Sequence, residues 1–378
     1  MRIGIFVTAA FTESRFIDAI SGHVQIPLMT AKLLAEAGYN VTLVTTKPKD
    51  SYVLPKEISA KVSIRIIEHA SKLWPERGIE KRKLLKQMFQ LLSFFRKDSF
   101  DIIHFFGSTN VGLALSFLKY LGATSSAFFT PIKPLPADIS GLKRKAARLL
   151  AFRRIDKVVA STDYVRDNWG LLLGQSKVAT LYPGPMKEVP VEPEYRSCDS
   201  VLFWRNADYK NGADLAMDAF AKLAPNYPNI RFVFSVRPND VLEDDLLNLK
   251  NNVPNIEVYI YPYKDGITIA SLMKKSLFVV QPFRSLSINP QMSILETLYS
   301  GTPVIASNIE SNPELIQDNE NGLLIPPDDK NALAGAIEKL LNNSELLEKM
   351  TRTVNVKTRL KWNWKTYKKG LFEEYNIV

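Results

Sequence analysis

Cysteine is almost missing from this chain: Cys198 stands alone among 378 residues. One thiol makes neither a disulfide framework nor a cysteine-based zinc site, and it suits a reducing compartment, so a cytoplasmic protein is expected. Nowhere do 18 apolar residues run together. The longest candidate, 111–129, is broken by Lys119 and by polar positions, which argues against a membrane span. The opening stretch MRIGIFVTAAFTESRF has no A-x-A-like site after its short apolar run, and it reads as a first strand rather than a secretion signal. There is no G-x-G-x-x-G, so dinucleotide binding has no support. There is no D-x-D triplet of the kind that holds a divalent ion, and neither metal nor cofactor is expected. No nucleic-acid recognition motif or base-stacking aromatic pattern accompanies the positive charge, so no nucleic-acid partner is expected either.

What is present is most pointed in residues 289–327, NPQMSILETLYSGTPVIASNIESNPELIQDNENGLLIPP, which read as helix, strand, short helix and strand. Asn289 suits an N-cap and Pro290 the first helical position, where a missing N–H costs nothing. Gly301 ends the helix and Pro303 forbids its continuation. Val304–Ser307 is an apolar run of buried-strand type. A capped helix start leaves the backbone N–H groups of Gln291 and Met292 able to meet an anion, which the macrodipole favours. Asn289, Ser293 and Glu296 recur at helical spacing as a polar stripe. A carboxylate two turns in repels phosphate but accepts hydrogen bonds from a ribose diol. The outline is that of a nucleotide-diphosphate site; the plainer alternative is a solvated carboxylate and an ordinary cap.

Upstream, strands are expected at 2–8, 40–46, 62–68, 101–106, 125–130 and 156–162, mostly separated by helical stretches such as Ile26–Ala37. Strands that alternate with helices and are apolar almost throughout indicate a parallel sheet covered on both faces. Gly22 lies in the first loop beyond such a strand, where a missing Cβ permits close backbone approach. Residues 180–200 carry four prolines and no periodicity, and the domain boundary is placed there. The alternation then restarts with strands at 200–206, 230–236, 255–261 and 277–283 and helices at 213–223, 242–249 and 268–275, and it closes with a helix over 362–375. The expected fold is therefore α/β, with two similar doubly wound domains, 1–186 and 187–360, facing a central cleft, and a terminal helix in 361–378.

Charge is unevenly placed. Residues 1–186 hold 27 Lys and Arg against 14 Asp and Glu, while the remainder holds 22 against 25. Much of the excess lies in KRKLLKQMFQLLSFFRK (81–97) and LKRKAARLLAFRR (142–154), both of basic amphipathic composition. Such helices suit an anionic membrane surface. They equally suit a role as sheet-covering helices with their charges in water, and the two roles are compatible. In the second half, WRNADYKNGAD follows the first strand, with Arg205 at the strand end and Lys210 just before the helix. A bidentate fork and a point charge at the mouth of a parallel sheet are what a diphosphate needs in the absence of a metal.

Taken together, these segments resemble the GT-B fold glycosyltransferases of family GT4, over nearly the whole chain. SGHVQIPLMTAKLLAEAGYNVTLVTT is similar to that family's glycine loop, first long helix and second strand. FDIIHFFGS is similar to its fourth strand, LFWRNADYKNGADLAMDAF to its phosphate loop, and SILETLYSGTPVIASNIESNPELIQDNENGLLIPPDD to its most specific signature. The resemblance implies two Rossmann-like domains with the terminal helix crossing back to the first. It also implies sugar transfer, with retention, from a nucleotide-diphosphate sugar to a glycan or lipid-linked acceptor hydroxyl. Arg205 and Lys210 would hold the diphosphate and act in catalysis, Glu296 would hold the ribose, and Gly22, Ser287, Asn289, Pro290, Gln291, Met292 and Ser293 would line the donor. Two positions depart from the pattern: Ile288 stands where a sugar-contacting glutamate is usual, and Phe106 where a second histidine follows His104. These departures motivate a rival reading, a catalytically silent GT-B subunit that partners an active transferase. A sugar-nucleotide epimerase is a further alternative, but the acid and base residues it needs are not apparent. His23 and His104 are read as structural.

Overall fold

The computed structural model describes residues 1–7, 12–13, 22–46, 52–53, 62–67, 95, 98–107, 122, 124–135, 152, 154–186, 198–238 and 240–377. The chain divides into two compact units, one of Met1–Met186 with Trp364–Val378, the other of Lys187–Asn363.

The first unit is built on a seven-stranded sheet. Its strands are β1 (Arg2–Val7), β2 (Asn40–Thr46), β3 (Ser63–Ile67), β4 (Phe100–Gly107), β5 (Thr124–Pro131), β6 (Lys157–Ala160) and β7 (Val178–Thr180), in the spatial order β3-β2-β1-β4-β5-β6-β7. Every pairing is parallel. β1 and β4 are buried almost end to end, as strands covered on both faces must be. Helix α1 (Gly22–Glu36) lies against β1 and β2. Helix α2 (Asp163–Leu173) follows β6, its N-terminus capped by Thr162, whose hydroxyl accepts from the Val165 N–H. The expected start of α1 at Ile26 is corrected to Gly22. Pro27 falls inside the helix but close enough to its start that one lost backbone bond does not end it. Gly22 is accordingly the first residue of a helix rather than part of a loop. Most of 81–97 and 142–154 lies outside the described residues. Two rings within them, Phe95 and Phe152, are buried, against Phe6, Phe100 and Phe105 and against Phe129 and Trp169 respectively.

The second unit repeats the pattern in six parallel strands: β8 (Ser200–Trp204), β9 (Arg231–Val236), β10 (Ile256–Ile260), β11 (Ser276–Gln281), β12 (Val304–Ser307) and β13 (Gly322–Ile325), in the order β10-β9-β8-β11-β12-β13. Helices α3 (Ala213–Leu223), α4 (Glu243–Asn252), α5 (Ile269–Lys274), α6 (Met292–Tyr299), α7 (Asn312–Leu315), α8 (Lys330–Leu341) and α9 (Ser344–Lys361) complete it. Helix α3 buries Leu215, Ala216, Ala219, Phe220 and Leu223, the stripe its sequence spacing dictates. Phe220 packs against Phe232 and Phe234 with ring centroids 5.0 and 4.9 Å away. Truncating such a ring to alanine costs about 3–5 kcal/mol.

After Trp362 and Asn363 the chain returns to the first unit as helix α10 (Trp364–Tyr375). The Trp364 indole donates to the Pro185 carbonyl at 2.8 Å, the Tyr367 hydroxyl meets Thr30 Oγ1 at 3.0 Å, and Lys157 pairs with Glu374 at 2.7 Å. At its end, buried Tyr375 places its hydroxyl 2.6 Å from His104 Nδ1, whose Nε2 is 2.8 Å from Thr130 Oγ1. His104 also stacks on Phe106 at 4.2 Å. Burial drives the imidazole pKa down to about 3, so the ring is neutral and structural.

Candidate functional site

In the second unit the chain order reverses between β8 and its neighbour β11. An open parallel sheet binds ligands at that reversal, beyond the carboxyl ends of the strands. Three segments leave those ends: Arg205 onward from β8, Arg237 onward from β9, and 282–291 from β11.

Arg205 is half-buried, with its guanidinium 5.9 Å from the Phe283 ring centroid. Its Nε is buried and has no hydrogen-bond partner. Burial first, and then the like charge of Arg237, hold this guanidinium below its ordinary pKa; Glu296, Asp208 and Asp240 act in the opposite direction. A confined cation with an unpaired donor is suited to an anionic ligand. Lys210, five residues on, is exposed and donates from Nζ to Ser287 Oγ at 2.8 Å. The structure therefore brings together Arg205 with Glu296, and Lys210 with Ser287.

The loop between the two cations is fixed from several directions. Asp208 Oδ1 accepts from the Asn211 backbone N–H at 2.7 Å and from its side-chain amide at 2.8 Å. Asp240 accepts from the Ala207 N–H at 2.7 Å and from the Arg237 N–H at 3.2 Å, joining the loops after β8 and β9. Burial holds the Asp240 carboxyl above the usual range, against the lowering by those two amides. Gly212 sits in the left-handed region at φ 72°, and a Cβ there would lie 2.0 Å from the Pro282 carbonyl oxygen. Arg284 closes the arrangement: it donates to the Tyr209 carbonyl at 2.6 Å, to Asp214 at 2.7 and 2.8 Å, and to Asp328 at 2.6 Å.

Helix α6 begins at Met292 with Gln291 as its N-cap, so the expected cap at Asn289 and first helical position at Pro290 are corrected. The Asn289–Pro290 bond is cis. The Asn289 carboxamide caps nothing on α6: its Nδ2 donates to Glu310 at 2.8 Å and its Oδ1 accepts from the Ser311 hydroxyl at 2.6 Å. The polar stripe is also shorter than expected. Ser293 turns inward and donates to Gln281 Oε1 at 2.9 Å, while Met292 is buried. What Met292 and Ser293 present to a ligand is backbone N–H, as the first residues of any helix do. Gln291 donates to Ser293 Oγ at 3.4 Å and leaves its buried Oε1 without a partner. Ile288 is 8% exposed. The Trp204 indole donates to Thr297 Oγ1 at 3.1 Å, tying α6 to the end of β8. Gly22 belongs to the other unit, at the start of α1.

Arg237, Asp240, Arg284 and Glu310 were not singled out in the sequence. Arg237 and Arg284 carry a signal that points to them, since both follow the carboxyl end of a parallel strand, as Arg205 does. Nothing local marks Glu310.

Residues 20–185 match the family model described as Glycosyltransferase Family 4, and residues 192–355 match Glycosyl transferases group 1. An uncharacterized glycosyltransferase from Methanocaldococcus jannaschii is 29% identical over 194 residues, 50% of this chain and 51% of that protein. The chain spans about half the length, or less, of the curated relatives it matches. Among solved structures, a glycosyltransferase from Rickettsia africae superposes with a TM-score of 0.72 at 17% identity, covering 99% of this chain and 97% of that one. Anabaena HepE in complex with UDP-glucose does so with a TM-score of 0.72 at 12% identity, covering 100% and 99%. The chain belongs to the GT-B glycosyltransferases of the family 4 type.

Proposed function

We propose that this protein moves a sugar from a nucleotide-diphosphate sugar to an acceptor hydroxyl with retention of configuration and without a metal, in cell-surface glycan or glycolipid synthesis. The observation that carries the reading is Arg205: a confined guanidinium with a buried, unpartnered Nε, close to Glu296 at the reversal point of a parallel sheet. As the bond between sugar and phosphate breaks, negative charge grows on the diphosphate. Arg205, Lys210 and the N–H groups at the start of α6 are the donors that stabilise it, fixed before the reaction rather than recruited during it. Glu296 takes the ribose hydroxyls, and Ser287 and Gln291 lie along the donor. The complex of Anabaena HepE with UDP-glucose supports a nucleotide-sugar donor.

The acceptor is a glycan or lipid-linked glycan, and residues 81–97 and 142–154 bring the first unit to an anionic membrane face from the cytoplasmic side. No helix among the described residues is long and apolar enough to cross a membrane. Surface docking of this kind strengthens with anionic lipid and weakens with salt.

The test is turnover by the purified chain over a panel of nucleotide sugars, with product mass as readout and with chelator present in a parallel arm. Truncating Arg205 or Lys210 to alanine is expected to lower turnover on the order of a hundredfold each, and chelation is expected to change nothing. Normal turnover by the Arg205→Ala/Lys210→Ala double variant overturns the mechanism. Absence of both transfer and donor hydrolysis in the native chain points instead to a silent subunit.

A further inference from the structure

Two residues hold the wall on which the donor is proposed to sit, and neither is called on for the chemistry. Glu310 follows β12 in the left-handed region at φ 46°, a conformation rarely adopted by residues other than glycine, asparagine or aspartate. Such backbones persist where surrounding contacts over-determine them, and they cluster at functional sites. Here the contacts are explicit. One Glu310 oxygen accepts from the Asn289 Nδ2 at 2.8 Å, and the other accepts from the Leu286 backbone N–H at 3.4 Å. The remaining end of the Asn289 carboxamide accepts from the Ser311 hydroxyl at 2.6 Å and from the Ser311 N–H at 3.3 Å. Asn289 is 2% exposed and Ser311 fully buried.

Leu286 and Asn289 bracket Ser287, the partner of Lys210, and Asn289 stands two residues before the cap of α6. The segment from 286 to 291 is thus tied to the turn after β12 at Leu286 and at Asn289. A half-buried carboxylate facing a buried amide, with both amide ends engaged, specifies a single placement of that segment, because any other leaves the buried polar atoms of Asn289 and Ser311 unpaired.

We propose that Glu310 is a positioning residue for the donor site: through Asn289 and the Leu286 amide it holds the 286–291 segment, and with it Ser287 and the start of α6, in the placement that receives the nucleotide diphosphate. This rests on the donor-site reading above. Glu310 touches no donor group itself, and its effect on binding passes through preorganisation.

The polarity of the pair makes the test. In Asn289→Asp two carboxylates face each other, whereas in Asn289→Asp with Glu310→Gln the donor and acceptor are exchanged and the bond is restored in reverse. UDP and GDP binding to the full chain by calorimetry is expected to weaken on the order of tenfold in Asn289→Asp and to recover most of that loss in the double variant. Glu310→Gly, which relieves the backbone while deleting the carboxylate, is expected to weaken nucleotide binding to a similar degree without lowering the thermal midpoint. Hydrogen exchange of 286–293 in the ligand-free Glu310→Gly variant is expected to quicken, with the rest of the sheet unchanged. A double variant as weak as Asn289→Asp, or a Glu310→Gly variant that binds nucleotide like the native chain, overturns the positioning role. Unchanged exchange in 286–293 overturns it whatever the ligand. A native chain that binds neither nucleotide while exchange in 286–293 quickens as expected overturns the donor-site reading and leaves the tie itself supported.

Discussion

Arg284 grips Asp214 through two parallel N–H···O bonds of 2.7 and 2.8 Å, a fork-to-carboxylate geometry that only a guanidinium provides. With further bonds to Tyr209 and Asp328, it joins the loop after β11 to the loop after β8, the segment that carries Arg205 and Lys210. Its partners hold the guanidinium well above its ordinary pKa, hydrogen bonding to Asp214 being the largest cause.

Lysine in place of Arg284 keeps the charge and loses the fork. Arg284→Lys is expected to destabilise the second unit by about 1 kcal/mol, the screened value of one charge-assisted bond near the surface. It is also expected to weaken nucleotide binding severalfold. Urea unfolding and calorimetry measure the two. A variant with native nucleotide affinity contradicts the idea that this clasp sets the spacing of the two cations.

Gly212 and Gly266 make a matched pair, with φ of 72° and 69°. A Cβ on Gly212 meets the Pro282 carbonyl at 2.0 Å, whereas a Cβ on Gly266 meets nothing within 4 Å. Gly266→Ala is expected to cost about 1 kcal/mol of backbone strain alone. Gly212→Ala adds a collision with backbone and is expected to cost at least about 2 kcal/mol. Equal midpoint shifts in urea would show that the loop after β8 gives way freely, contrary to its network of bonds.

The second unit was the more legible half, for identifiable reasons. Helix 213–223 and strand 304–307 are bounded in the sequence by Gly212 and by Pro303, and the structure keeps both to the residue. The approach to α6 was misread because Asn289 and Pro290 carry the local signature of a cap and first turn. The carboxamide of Asn289 is instead taken by Glu310 and Ser311, 21 and 22 residues away. Local propensity cannot register a competitor that distant. The meeting of Arg205 with Glu296 was legible, since one ends a strand and the other faces out of a helix beside it. Strand β7, three residues long, gave too short a run to be recognised.

Glu296 offers a separation of base-bearing from bare diphosphate. Proposed to hold the ribose hydroxyls, it also partly balances the Arg205 charge. Glu296→Ala is therefore expected to weaken binding of a nucleoside diphosphate by about tenfold or more, the worth of a charge-assisted bond. Inorganic pyrophosphate, which has no ribose, is expected to bind at least as well as before. Calorimetry with both ligands decides, and parallel losses would remove Glu296 from the ribose.

His104 gives the first unit a pH dependence whose sign can be worked out. Burial lowers its folded pKa to about 3 from the ordinary 6.5. Between those values the unfolded chain binds a proton that the folded chain refuses, so the unfolded state gains as pH falls. Above pH 6.5 both states hold neutral imidazole and the group contributes no slope. Below it, stability is expected to drop by about 1.4 kcal/mol per pH unit from this residue, until the folded pKa is reached. The neutral ring bridges Tyr375 and Thr130, one nitrogen donating and the other accepting, so α10 is the element released when it charges. His104→Phe lowers stability at neutral pH, because it leaves two buried hydroxyls without a partner. Its stability is nevertheless expected to fall less steeply than the native value between pH 6.5 and 4.5. The difference between the two urea titrations cancels the carboxylates common to both. Parallel slopes across that interval would mean that the imidazole is protonated within the fold, and that the contact between α10 and β4 is not what acid breaks first.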